Sequence, residues 1–333
     1  MTTIDHIFLL SSDRSGSNLL LRMIGSHSEI TAPPTSQLLP NLYNYVSAYG
    51  DLSIQENWDI LLRNTSRLHN ASFGKWSNYA DLNRLCERSN NRSINLILRE
   101  IFKTESQSKS VQKIAIKAHR AYAYAEELQS DFPNARFVYL VRDPRDMALS
   151  WWKTPGLRGG IMRASEIWKT DQAGFIQHAN SLGENCHLVK YEDILVSPDR
   201  TLKNLCEFLD VSFDPKMLGF YRQDETQKIS EYVLAWNNLS KPLMSQNINK
   251  YRTALTTEQC VYIEQHCSNE MAGLRYEPDH DASKFDLVNL AEKLALEEPW
   301  DKPEYASIPE SEKQSHTKLR EASLNFRKGV TNA

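Results

Sequence analysis

The stretch "FLLSSDRSGSNLLLRMI", Phe8 to Ile24, constrains this chain more than any other: an apolar run passes through a polar loop with one glycine directly into a helical pattern. Three further apolar runs repeat that arrangement. With "HIFLLS" (6–11), the segments "KIAIKAH" (113–119), "RFVYLVR" (136–142) and "HLVKY" (187–191) read as short buried strands, each followed by a helical pattern. The alternation predicts an α/β fold with a central parallel sheet flanked by helices. The helices read as "SNLLLRMIGS", "AYAYAEELQSDF", "PRDMALSWW" and "PDRTLKNLCEFLD". Asp143 before Pro144, and Ser197 before Pro198, each place a capping side chain ahead of a proline at the first helical position.

A helical insertion, about 33–111, separates the first two of these strands and carries the patterns "NWDILLRNTSRL" and "LNRLCERSNNRSINLILREIF". Its aromatic residues include Tyr43, Tyr45, Tyr49, Trp58, Phe73, Trp76 and Tyr79. They read either as core or as the wall of an acceptor pocket, because ligand sites form beyond the carboxyl ends of strands. The pattern "LTTEQCVYIEQHCSNEMAGL" closes the compact part near 273–276. Residues 1–277 therefore read as one domain. The rest, 278–333, reads as a C-terminal extension: a peripheral helix, then a partly ordered tail with Pro299, Pro303 and Pro309 and little apolar periodicity after Trp300.

Charged residues make up 24% of the chain and the net charge is -3, so nothing draws it as a whole to nucleic acid or anionic lipid. Any anion site must be local. The five cysteines (Cys86, Cys186, Cys206, Cys260, Cys267) are odd in number and irregularly spaced, which indicates neither a disulfide framework nor a zinc site and fits a reducing, cytoplasmic compartment. The run Ile7 to Leu10 is too short to span a bilayer, and a basic region followed by a long apolar core is missing from the N-terminus. The expectation is a soluble, unprocessed protein without a membrane or nucleic-acid partner; the oligomeric state is not readable.

A strand, a loop of small residues and a helix together form an anion cradle, where backbone N–H groups and the helix N-terminus converge on a phosphate. The nucleoside triphosphatase version needs G-x-x-x-x-G-K-[ST]. Here the window is "SSDRSGSN": serine replaces the first glycine, no lysine follows Gly16, and the cation stands at Arg14. That displacement argues against an ordinary ATPase while keeping a guanidinium fork for an oxyanion. Alone, the window also reads as a turn with capping serines. A second candidate lies in "VYLVRDPRDMALSWW", where a strand ends in Arg142 and the helix capped at Asp143 carries Ser150 two turns in. Arg142 and Ser150 can grip a second phosphate, or Arg142 can form a surface ion pair.

Taken together, these segments resemble the sulfotransferases that use 3'-phosphoadenosine 5'-phosphosulfate. "SSDRSGSNLL" resembles their 5'-phosphosulfate loop, "VRDPRDMALS" their 3'-phosphate motif, and "KYEDI" (190–194) a tyrosine-glutamate-aspartate element that follows a later strand. The similarity runs in order over roughly residues 5–275. It implies the P-loop-like sulfotransferase fold, no metal, and transfer of a sulfuryl group to a hydroxyl or amine. The product of the donor is 3'-phosphoadenosine 5'-phosphate. It further implies that Arg14, Ser15, Gly16, Ser17 and Asn18 cradle the 5'-phosphosulfate and that Arg142 and Ser150 hold the 3'-phosphate. Tyr191 would approach the adenine side, and Lys250 and Arg252, in "NINKYRTALTTEQ", would add a further 3'-phosphate contact. Many soluble members have lysine where Arg14 stands and threonine where Asn18 stands. Arginine keeps the charge but is a poor proton donor to the leaving group.

Alternation along "KIAIKAHR" sets Ile114, Ile116 and Ala118 on one face and Lys117 and His119 on the other, at a carboxyl strand end. The resemblance matches this lysine-x-histidine pair to the family's catalytic pair. Histidine suits a general base because its ordinary pKa lies near neutrality, and Lys117 would stabilise charge on the bridging oxygen. Packing or capping is the other role open to His119. Two rival functions stay open: a kinase-like phosphotransferase, which leaves Arg142 and Ser150 without a task, and a catalytically silent nucleotide-binding protein. A small molecule, such as a natural-product alcohol or guanidinium-type nitrogen, or a soluble glycan is the expected acceptor.

Overall fold

A computed structural model describes residues 4–74, 76, 82, 84, 91–119, 121–298 and 300–332. The apolar run that opens the chain becomes the central strand, β1 (Asp5–Ser11), of a five-stranded parallel sheet. A two-residue strand, β2 (Ile30–Thr31), follows, and then β3 (Lys113–His119), β4 (Arg136–Val141) and β5 (Cys186–Lys190). The spatial order is β2-β3-β1-β4-β5. After β1 the chain forms the edge strand β2, returns to lay β3 between β2 and β1, and then crosses to the other side for β4 and β5. The loops after β1 and β4 leave the sheet side by side at this reversal, where open α/β sheets bind ligands.

Period-two alternation explains both faces. Phe8, Leu10, Ile114, Ile116, Phe137 and Tyr139 point into one core layer, and Ile7, Leu9, Ala115, Val138 and Leu140 into the other. In chain order the helices are α1 (Ser17–Gly25), then α2 (Leu38–Tyr45), α3 (Gln55–Asn70) and α4 (Ile94–Ser108) of the insertion, and α5 (Ala125–Asp131). After β4 come α6 (Pro144–Trp152) and α7 (Ile161–Leu182), and after β5 come α8 (Tyr191–Val196) and α9 (Pro198–Phe208). The remainder comprises α10 (Asp224–Ser230), α11 (Tyr251–Ala254), α12 (Thr257–His266), α13 (Ser268–Gly273), α14 (Leu287–Glu297) and α15 (Glu310–Lys328). Helices α1, α8 and α9 cover one face of the sheet; the insertion, α6 and α7 cover the other.

Several boundaries differ from the sequence reading. Asp143 caps α6 as expected, its carboxylate accepting from the Arg145 N–H at 2.9 Å. Ser197 makes no side-chain cap: it also ends α8, and its own N–H bonds back to the Asp193 carbonyl at 2.9 Å. In the run beginning at Leu82, the described Leu82 and Arg84 are helical, residues 91–93 are not, and α4 starts at Ile94, where the Ser93 hydroxyl accepts from the Leu96 N–H. Tyr79, Cys86 and Pro299 lie outside the described residues. Of the insertion's aromatic residues, Tyr49 and Trp58 are fully buried in the core.

The largest difference is the C-terminal extension. In place of a partly ordered tail, residues 310–328 form a 19-residue helix, α15, packed on α2 and α3. Leu319, Ala322, Phe326 and Val330 make the apolar stripe that fixes it, and Phe326 is wholly buried. Tyr49 of the insertion donates its hydroxyl to the Phe326 carbonyl at 2.9 Å and accepts from Asn64 at 3.1 Å. The stripe is sparse against a strongly charged background, and its partner surface comes from an insertion far earlier in the chain, Tyr49 and Phe326 standing 277 residues apart. Among the described residues no helix is long and apolar enough to cross a membrane.

Two buried imidazoles give the fold a defined acid response. Burial lowers His6, which sits among Phe8, Phe102 and Phe132, to about 4, with Arg99 adding to the effect; burial lowers His69 likewise to about 4. Between the unfolded value of 6.5 and about 4 the unfolded chain binds more protons, so this stability is present above pH 6.5 and drains away as pH falls. Each group accounts for about 3 kcal/mol at most. Denaturant midpoints measured from pH 7 to pH 4 should fall, and His6→Phe should flatten that fall. An unchanged acid profile in the variant would contradict the assignment.

Candidate active site

The loop after β1 is shaped by two left-handed positions in three residues, Arg14 at φ 64° and Gly16 at φ 89°. Arg14 is one of few non-glycine residues in that region, and the alternation of backbone hand curls the chain into a concavity lined by N–H groups. Gly16 is required twice over. Its φ suits glycine, and a Cβ there would stand 2.4 Å from a carbon of the Tyr191 ring. Helix α1 then begins at Ser17 with no side-chain cap, leaving first-turn donors and the positive end of the helix dipole for a ligand. Ser12, at the root of the loop, is pinned by the Gln172 amide at 2.7 Å, and Gln172 accepts from the buried Tyr139 hydroxyl.

The two motifs found separately in the sequence meet here. The Arg14 Nε donates to the Ser150 hydroxyl of α6 at 3.1 Å, and Arg142 donates one Nη to the Arg14 carbonyl at 3.1 Å and the other to the Asn247 carbonyl at 2.9 Å. Arg142 lies just past β4, stacked over the Tyr191 ring at 4.4 Å, and its carbonyl accepts from the Trp168 indole N–H at 2.9 Å. The Arg142 Nε and the Ser15 hydroxyl are buried without a hydrogen-bond partner. Such atoms cost free energy unless a ligand or water meets them. Burial pushes the Arg14 pKa down, and the neighbouring Arg142 pushes it further.

A polar frame that the sequence reading overlooked holds these cations. Asp146 on α6 accepts from the Asn249 N–H at 2.7 Å and the Tyr251 N–H at 3.0 Å, which ties the loop carrying Asn247 and Lys250 to the site. Glu192 of "KYEDI" accepts from the Asp143 N–H at 3.0 Å and the Tyr276 hydroxyl at 2.9 Å, joining α8 to the start of α6. Arg145 is clamped between Asp143 at 2.7 Å and Glu264 at 2.6 Å and lies over Tyr251 at 4.3 Å. The signal was present in the two acids and second arginine of "RDPRD", whose partners are too distant in sequence to be found by spacing.

Lys117 reaches the same place from β3. It is buried, its Nζ is 3.7 Å from an oxygen of Asp13, and burial lowers its pKa while Asp13 raises it and Arg14 lowers it. Asp13 is another residue the sequence reading passed over; a carboxylate inside an anion loop was its signal. The strand register sets His119 beside Ser11 at the carboxyl end of β1, and the side chain of His119 lies outside the described residues. Asn18 accepts from the Thr35 hydroxyl at 3.0 Å.

The loop after β1 and the three cations border a cleft of about 670 Å³. Arg14, Gly16, Ser17, Asn18, Lys117, Arg142, Ser150, Tyr191 and Lys250 line it. Ser15 lies beneath it, fully buried. Arg252 is turned elsewhere: it is exposed, donates to Asp279 at 3.1 Å and to the Tyr251 hydroxyl at 3.2 Å, and is absent from the cleft lining. A carboxylate with the right reach had claimed it.

Comparison with known proteins agrees with this geometry. Residues 6–215 match the family model described as "Sulfotransferase family". The chain is 24% identical over 222 residues to protein-tyrosine sulfotransferase A of Caenorhabditis elegans, covering 65% of this chain and 52% of that protein, and so spans about half the length of that curated relative. In fold it is similar to the sulfotransferase domain from the curacin biosynthetic pathway, with a TM-score of 0.58, 22% identity and coverage of 83% of this chain and 99% of that one. The sulfotransferase domain of the Synechococcus PCC 7002 olefin synthase gives a TM-score of 0.57 at 21% identity, over 83% of this chain and 97% of that one.

The Gly16 contact yields a direct test. Gly16→Ala should lower the unfolding free energy by roughly 1–3 kcal/mol in chemical denaturation. Adding Tyr191→Ala should restore only part of that loss, because the clash is relieved and the left-handed φ is not. A Gly16→Ala protein as stable as the parent would contradict the packing described here.

Proposed function

Because the chain belongs to the sulfotransferase family, we propose that it transfers a sulfuryl group from 3'-phosphoadenosine 5'-phosphosulfate to a hydroxyl or amine of a small-molecule or soluble glycan acceptor. The observation that carries this reading is the contact between the motifs. Arg14 bonds to Ser150 and Arg142 bonds to the Arg14 carbonyl, so the two anion motifs form one cradle, as a donor with both phosphate-type groups on a single ribose requires.

The residues fit such a donor. The buried Ser15 hydroxyl and Arg142 Nε lack partners within the protein, and the uncapped start of α1 offers donors to an anion. Arg14, Ser15, Gly16, Ser17 and Asn18 would hold the 5'-phosphosulfate end; Arg142, Ser150 and Lys250 would hold the 3'-phosphate, with Tyr191 on the adenine side. Arg252, paired with Asp279, would take part only after breaking that pair. When bound, the donor supplies an activated sulfur and a phosphate leaving group.

The chain's own groups account for the remaining chemistry. His119 would accept the proton from the acceptor hydroxyl or amine as the new bond to sulfur forms and the bond from sulfur to the bridging oxygen breaks. Arg14, Lys117 and the N–H groups of the loop would meet the charge developing on that oxygen. Asp13 opposes the desolvation that lowers the pKa of buried Lys117. Positioning and fixed charge would supply most of the acceleration, as in phosphoryl transfer.

Calorimetry with 3'-phosphoadenosine 5'-phosphate, 5'-AMP and magnesium ATP tests the cradle. The bisphosphate should bind best, and Arg142→Ala should weaken it by roughly 10- to 100-fold. Preference for magnesium ATP would move a kinase-like reading to the front. His119→Ala should cut sulfuryl transfer to a panel of alcohols, amines and sugars by roughly 100- to 10,000-fold while leaving bisphosphate affinity intact. Normal turnover in that variant would remove His119 from the mechanism.

A further inference from the structure

The cleft extends beyond the nucleotide cradle, and most of that further part is built by residues outside the 6–215 match to the family model, with Phe73 of the insertion added. Helix α15 and the turn before it supply Ile308, His316 and Leu319; the segment 233–244 supplies Leu234 and Trp236; the insertion supplies Phe73. The aromatic groups interlock edge to face, with ring centroids 6.1 Å apart for Phe73 and Trp236 and 4.7 Å apart for Phe73 and His316. Helix α15 is latched to the opposite wall: the Glu312 carboxylate accepts from the Leu234 N–H at 2.9 Å, with the His316 Nε2 3.5 Å away. Its other edge abuts the loop that follows the Ser150 helix, where a Cβ on Gly156 would stand 3.6 Å from Ile308 and 4.0 Å from the His316 Nε2.

From this we infer that the α15 half of the cleft is the acceptor subsite and that it takes an uncharged alcohol with an extended or flat apolar body. The inference rests on the sulfuryl-transfer reading above and narrows it. Phe73, Val233, Leu234, Trp236, Ile308 and Leu319 give the wall a large aliphatic and aromatic area in the same cleft as the cradle where the sulfuryl group would be presented. A guanidinium or ammonium acceptor would need an available carboxylate there, and Glu312 is engaged by a backbone N–H and His316. A sugar would need several converging polar groups, and those of this wall are already engaged: Lys241 donates to Asn238 at 3.2 Å, the Ser72 hydroxyl donates to the Leu68 carbonyl, and Glu312 and His316 face each other.

Titration calorimetry of the whole protein saturated with 3'-phosphoadenosine 5'-phosphate, using 1-octanol, 2-naphthol, methyl β-D-glucopyranoside and agmatine as probes, tests it. The two apolar alcohols should bind at least about tenfold more tightly than the glucoside or agmatine. Phe73→Ala and Trp236→Ala should each weaken the alcohols by about fivefold or more, with bisphosphate affinity unchanged as the check that each variant is folded. Equal or tighter binding of the glucoside or agmatine, no binding of either alcohol, or alcohol binding indifferent to both substitutions overturns the subsite. The alcohol titrations are repeated without nucleotide. Failure to bind the bisphosphate would then strike the proposed function alone, and the alcohol arm would still decide the subsite.

Discussion

Three cations converge on one point at the carboxyl edge of the sheet, and the rest of the molecule is arranged to hold them there. Arg14, Lys117 and Arg142 arrive from the ends of β1, β3 and β4, the three central strands. Lys117 and Arg142 are buried and Arg14 half-buried; burial and the neighbouring Arg142 push Arg14 down, and burial and Arg14 push Lys117 down. Asp13 beside Lys117 compensates in part. Such an arrangement is unfavourable without an anion and favourable with one, which is the thermodynamic signature of a binding site.

Neutral groups restrain the cations with geometry. Carbonyls of Arg14 and Asn247 fix the Arg142 fork, the Tyr191 ring supports it from one side, and Ser150 orients Arg14. Carboxylates act one step back. Asp146 ties down the Asn249–Tyr251 backbone, Glu192 joins α8 to α6, and Arg145 absorbs the charge of Asp143 and Glu264. Strong acids thus frame the site, while the arginine donors stay aimed inward.

The sheet and the cradle were legible in the sequence because both are local signals. Period-two alternation located four strands, and the one missed, Ile30–Thr31, is two residues long and too short to show a period. Arg14, Gly16, Arg142 and Ser150 were found because the chemistry of each motif lies within ten residues or so. Long-range partnership was not legible. Arg252 looked like a phosphate ligand until Asp279 claimed it, and Asn247, Asp146 and Asp13 acquired meaning only from what the fold set beside them. Helix α15 was misread because its stripe of Leu319, Ala322 and Phe326 is diluted by charge and answers to a surface made by the insertion.

A nucleotide carrying both a 5' and a 3' phosphate would complete the convergence of Arg14, Lys117 and Arg142. Thermal unfolding of the intact protein against rising 3'-phosphoadenosine 5'-phosphate, with 5'-AMP and magnesium ATP in parallel, measures it most directly. Stabilisation should grow with the logarithm of bisphosphate concentration, reaching about 2.7 kcal/mol at a hundredfold excess over Kd. The other two nucleotides should give far less. An unfolding temperature unmoved by the bisphosphate, or raised equally by magnesium ATP, would contradict the account.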